Sequence, residues 1–178
     1  MAVKYYSFNN KDLEKILLIK RPFIMLDIVK DIIPGKSAHG FKHIKKSDWS
    51  FESHYEYSSV PASVQIEAML QTLITILYTL KDHHGKLAYI TDIKTKLLSK
   101  VSPECEFHIF SEILSFKRGL SHGISKGIVN DNIVCKGEFH FVSPHLFPNV
   151  LKGTKNCKFT GILKGILKVS LNITLNGI

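Results

Sequence analysis

Two residues in this chain have the types and the setting to move protons together: His54 and Glu67, thirteen positions apart in the stretch FESHYEYSSVPASVQIEAMLQTLITILYTL, Phe51 to Leu80. His54 falls in a polar and aromatic loop, and Glu67 lies on an otherwise apolar helix that starts beyond Pro61, a residue that needs no N–H partner in a first turn. A histidine near the positive end of a helix is biased toward the neutral imidazole, which accepts a proton. A carboxyl group buried on an apolar helix is pushed toward the protonated form, which donates one. One base and one acid so poised are what a 1,2-elimination of water requires.

The helix expected over Ser63 to Leu80 has apolar residues at 64, 68, 70, 73, 74, 76, 77 and 80, more than one stripe, so it should be wrapped by other elements. Gln65, Glu67, Gln71 and threonines 72, 75 and 79 argue against a membrane span. Upstream, residues 10–19 read as a short helix with Asn10 as its cap, ended by Arg21-Pro22. Phe23 to Ile33 reads as a strand closed by Pro34-Gly35, and Ser37 to Lys45 as a second. Downstream, strands are expected at Lys86–Leu98, Glu104–Lys117, Leu120–Asn130 and Asn132–Val142, with breaks at Pro103, Arg118-Gly119 and Asn130-Asp131-Asn132, the last two short and turn-like, which predicts an antiparallel meander. The fold class is therefore α+β, a sheet curled around a helix. Residues 1–143 form one domain in this reading, and 144–178 a C-terminal extension that is an edge strand, a dimer arm or a tail; Lys168 to Leu175 is its most strand-like piece.

The 178 residues suffice for one core without staples. Cys105, Cys135 and Cys157 are odd in number and widely spaced, which fits reduced thiols in a cytoplasm and neither a disulfide framework nor a zinc site. No secretory signal is read at the N-terminus. The net charge of +9 is weakly clustered, with Lys152, Lys155, Lys158, Lys164 and Lys168 facing no acid; it suits an acidic protein partner as well as nucleic acid, or is a solvated face with no partner. His83-His84 reads as a solvated turn. His39, His43, His108, His122 and His140 have no acidic or cysteine companion in sequence and receive no role, so no metal is expected.

These residues resemble the β-hydroxyacyl-acyl carrier protein dehydratases, over roughly residues 13 to 143. Arg21-Pro22-Phe23 through Asp27 resembles that family's opening "HRxPFLLVDRV" strand, and Ile33-Pro34-Gly35-Lys36 its next turn. Glu67-Ala68-Met69-Leu70-Gln71 matches its "EAMAQ" helix motif, and Lys117-Arg118-Gly119 and Val134-Cys135 resemble its later strands. The resemblance implies a hot-dog fold, His54 and Glu67 as the catalytic base and acid, and Tyr57, Ala62, Ser63 and Gln71 around the thioester. It implies dehydration of 3-hydroxyacyl thioesters, on acyl carrier protein or coenzyme A, to trans-2-enoyl thioesters without a cofactor or metal. The implied unit is a homodimer or a trimer of dimers whose active sites take residues from two subunits, with no nucleic acid or membrane partner. The family's histidine loop reads "GHFPGxPVMPG", whereas residues 53–62 here contain no glycine. Two other readings share the fold: an acyl thioesterase, and a non-catalytic subunit that binds acyl groups or their carrier.

Overall fold

The computed structural model describes residues 6–52, 59–81, 83, 88–143 and 172–175. The elements in chain order are β1 (Tyr6–Asn9), α1 (Asn10–Leu17), β2 (Ile28–Ile33), β3 (Ser37–Ile44), α2 (Trp49–Glu52), α3 (Ala62–Tyr78), β4 (Tyr89–Leu97), β5 (Cys105–Lys117), β6 (Leu120–Val129), β7 (Asn132–Val142) and β8 (Asn172–Leu175). The strands form one sheet in the order β1-β2-β3-β5-β6-β7-β4-β8, antiparallel throughout except for the β4–β8 pair. A curved sheet around one long helix is the α+β architecture the sequence predicts.

The alternation of each strand decides which face meets α3. On β7, Phe139 and Phe141 are fully buried while Glu138 and His140, which alternate with them, point the other way and are half-buried. On β5, Phe107 and Ile109 are buried the same way. They pack with Met69, Leu73, Ile76 and Leu77 of the helix into one core, which also takes in Leu13, Ile16 and Leu17 of α1. The helix lies close to the sheet because the sheet is small beneath it. A Cβ on Gly123 would stand 2.7 Å from Leu73 Cδ2, and one on Gly40 would collide with the Thr72 side chain. Ser121, Ser125 and Gly127 continue the small inward row of β6.

Several expectations are corrected. Asn9, and not Asn10, caps α1: its side chain accepts from the N–H groups of Lys11 and Asp12, and Asp12 returns a bond to the Asn9 N–H. Asn10 instead donates to the Leu26 carbonyl and accepts from Arg21 Nε. The strand expected from Phe23 begins only at Ile28, because the backbone of residues 23–25 is engaged by a helix side chain described below. The expected four-strand meander contains only β5, β6 and β7. β4 pairs with β7 at the far side of the sheet, and residues 98–104 carry the chain back across, held by the buried Val101 and by the Glu104 N–H to the Ile44 carbonyl. Of the C-terminal segment, Asn172–Leu175 is an edge strand alongside β4. No helix among the described residues is long and apolar enough to cross a membrane.

Candidate active site

Helix α3 starts from an anchored strap. The Val60 N–H donates to the Val101 carbonyl at 2.7 Å, and the Gln65 side chain donates to the Val60 carbonyl at 3.2 Å. Pro61 occupies the cap position and gives no side-chain cap. Its carbonyl accepts from Val64 and Gln65, so Ala62 and Ser63 contribute the first two N–H groups, which have no acceptor inside a helix. Ser63 is exposed and Ala62 half-buried.

Ser63, Val64, Glu67 and Ile74 are the less buried residues along one edge of a helix otherwise enclosed. Glu67 is therefore half-buried on an open edge of the single chain, which corrects the expectation of a carboxylate enclosed by apolar side chains. Its carboxylate is nevertheless held. Gln71, one turn on and almost fully buried, donates from Nε2 to Glu67 Oε1 at 2.8 Å and to the Phe23 carbonyl at 2.7 Å, and accepts the Met25 N–H at Oε1 at 2.9 Å. All the polar capacity of this amide but one lone pair is used. Gln71 thus ties Glu67 to the segment after Pro22, where Phe23 is 63% exposed and its ring lies 6.3 Å from that of the exposed Trp49.

His54 and Tyr57 lie outside the described residues, so the structure places four of the six proposed site residues. It brings Glu67 and Gln71 together and sets Ala62 and Ser63 at the start of the same helix. Sequence reasoning missed the roles of the Phe23 and Met25 backbone and of Asp27, which accepts from the His43 N–H at 2.8 Å and pairs with Lys42 Nζ at 3.3 Å. The signal was available in the RPFIMLD segment, which was read as a strand.

The other histidines are not what their sequence neighbours imply. His83 is buried, not solvated, with its ring edge-on to Phe116 at 4.8 Å and Nδ1 3.4 Å from Ser143 Oγ. Four of the five strand histidines, His39, His108, His122 and His140, do have acidic companions, supplied by neighbouring strands or by residues two positions away. His39 Nδ1 is 3.8 Å from Asp31, and its Nε2 is 3.0 Å from His108 Nδ1. Burial, then the Lys30 charge and His108, hold the His39 imidazole below its ordinary pKa. His108 lies near Glu106, His122 near Glu138 and His140 near Asp92. Burial pushes the Cys135 thiol up to about 12 and raises Cys105 too, the latter with help from Glu104, so neither thiol is poised as a nucleophile.

An open concavity of about 1090 Å³ lies away from Glu67. Its lining includes His39, Phe110, Lys94, Lys126, Lys136 and Glu138, residues of the strands and none of α3. The concavity is therefore separate from Glu67.

An antiparallel sheet curved over one long helix is the hot-dog fold, and solved structures share it. A sigma28-regulated virulence protein from Campylobacter jejuni superposes with a TM-score of 0.59 at 10% identity, over 74% of this chain and 86% of that one. A hypothetical thioesterase with coenzyme A from Streptococcus pneumoniae TIGR4 gives 0.54 at 11% identity, over 65% and 83%. At these identities the likeness is one of fold. The sequence carries the family: residues 18–138 match the model of the FabA-like domain, and the chain belongs to that family. Among curated relatives, the 3-hydroxyacyl-acyl-carrier-protein dehydratase FabZ of Clostridium novyi (strain NT) is 32% identical over 120 residues, 66% of this chain and 83% of that protein. The FabZ dehydratase of Bacillus licheniformis is 26% identical over 133 residues, 74% of this chain and 92% of that protein.

Proposed function

We propose that this chain dehydrates 3-hydroxyacyl thioesters to trans-2-enoyl thioesters, with His54 as base and Glu67 as acid. The observation that carries the reading is the hold on Glu67: a carboxyl group at an accessible helix edge, fixed by Gln71 to the segment after Pro22, inside the region that matches the FabA-like domain. His54 removes the proton at C2, the electron pair of that C–H bond forms the C2–C3 double bond, and the C3–O bond breaks as Glu67 protonates the departing hydroxyl. Water leaves and the thioester stays intact. The N–H groups of Ala62 and Ser63 receive the thioester oxygen as charge develops on it, and the resemblance assigns Tyr57 to the thioester with them. Residues 53–62 lack the glycines of the family's loop, so the helix start carries more of this oxygen binding here.

Glu67 lies on the open edge of the single chain and is tied through Gln71 to the carbonyl of Phe23, whose ring and that of Trp49 are exposed. A second copy covering that edge would exclude water and bring its own His54 to Glu67. The acyl group arrives on an acidic carrier protein, to which the +9 charge is suited. Complementation tests the shared site. Co-produced and differently tagged His54→Ala and Glu67→Gln chains, each inactive alone, should recover partial activity in purified mixed dimers. Mixed dimers as inactive as the parents would contradict a site built from two subunits.

A further inference from the structure

The face of the sheet turned away from α3 carries a second cluster, unconnected with Glu67. On β6 and β7, His122 and His140 are direct cross-strand partners, with rings 4.4 Å apart and 6° from parallel. Glu138 is two residues before His140 on the same strand and face, and Asp92 of β4 is the partner of His140 on the other side. Three adjacent strands thus direct two imidazoles and two carboxylates to one patch. A ligand atom from each of His122, Glu138 and His140 lies within 4.8 Å of the others.

The internal contacts of the cluster do not amount to hydrogen bonds. Glu138 Oε1 is 2.9 Å from His122 Nε2, and Asp92 Oδ2 is 3.6 Å from His140 Nδ1. Both ring nitrogens are shielded from solvent, yet neither makes a well-directed hydrogen bond. Nitrogens so placed are suited to a ligand bond with an ion between the strands. We infer that His122, Glu138 and His140 bind one divalent transition-metal ion of the zinc class, with the Asp92 carboxylate, 3.6 Å from the same His140 Nδ1, adding negative charge beside the ion.

The donor set selects the ion. Two imidazoles and a carboxylate suit zinc and its first-row neighbours, whereas magnesium and calcium take oxygen donors. Ligand bonds of about 2.0–2.2 Å in tetrahedral geometry require donor atoms roughly 3.3 Å apart. Small side-chain rotations close the present spacing to that value, since all three residues are only half-buried. An ion can enter from the open side, because Glu138 also lines the concavity on this face. Lys94 is the competing cation: it pairs across from Glu138, with Nζ 3.8 Å from Asp92 Oδ2, but at 54% exposure it is free to swing away.

Zinc titration of the full chain, stripped with chelator and followed by calorimetry, tests the site. One zinc ion per chain is expected, and cobalt should give visible ligand-field absorption from a mixed nitrogen and oxygen set. His122→Ala, His140→Ala and the near-isosteric Glu138→Gln should each weaken binding at least tenfold. Asp92→Asn, which removes only a charge beside the ion, should weaken it less than tenfold. His39→Ala, in the other histidine pair, should leave binding unchanged. Variants are compared only where thermal unfolding in chelator matches that of the unaltered chain, and Glu138→Gln is the least disturbing of them. Equal zinc affinity in the unaltered chain and in Glu138→Gln and His122→Ala, or no zinc uptake by the unaltered chain, would overturn the site and leave a cross-strand ion pair.

Discussion

Replacing Glu67 with glutamine is expected to lower the rate of enoyl thioester formation by about 10²–10⁴-fold, the contribution of a positioned proton donor. The change keeps the shape of the side chain and removes only the transferable proton. Glu67 is half-buried on an open helix edge, and an amide oxygen still accepts the Gln71 bond seen at 2.8 Å. Stability should therefore stay within about 0.5 kcal/mol, as for substitutions outside the core. The measurement is steady-state turnover beside a thermal unfolding curve. Full activity in Glu67→Gln would remove the acid from the mechanism.

Gln71→Leu is expected to have the largest effect that reaches both stability and catalysis. The substitution preserves volume but leaves the buried Met25 N–H without its acceptor, and it releases Glu67 and the Phe23 carbonyl. A buried donor left unsatisfied costs about 1–3 kcal/mol, which lowers the unfolding midpoint by roughly 3–10 °C in a chain of this size. Turnover should fall as well, because the carboxylate loses the amide that fixes its rotamer. The fall should appear in kcat more than in KM, since Gln71 acts through Glu67. Calorimetry and kinetics on the same preparation check both. An unchanged midpoint would show that water replaces the amide, and an unchanged kcat that the carboxylate needs no such hold.

The long helix and the later strands were legible because their signals are local. The apolar run after Pro61 gives α3 at Ala62–Tyr78, and alternation with glycine breaks gives β5, β6 and β7 to within about two residues. What was lost depends on contacts far apart in sequence. β4 and β5 are consecutive but not adjacent, since the seven residues between them cross the sheet, and no local pattern separates a crossing from a turn. The RPFIMLD segment has strand-like composition, yet Gln71, forty-six residues from Met25, takes its backbone hydrogen bond. The same limit hid the acidic companions of the histidines: Glu138 and Asp92 meet His122 and His140 only through the register of β4, β6 and β7. Glu67 was found because one acid on an apolar helix stands out, but its placement on an open edge follows from how the sheet wraps, which the helix alone does not encode. His54 and Tyr57, outside the described residues, rest on the sequence and its resemblance.

The product distinguishes dehydration from thioester hydrolysis and from binding alone. Purified protein, given crotonyl and 3-hydroxybutyryl thioesters of acyl carrier protein, is to be followed by the absorbance of the conjugated enoyl group together with an assay for free thiol. The account predicts reversible interconversion of the two thioesters with no thiol released, and its loss in His54→Ala. Thiol release without any change in the enoyl signal, or a folded protein that alters neither substrate, would contradict it.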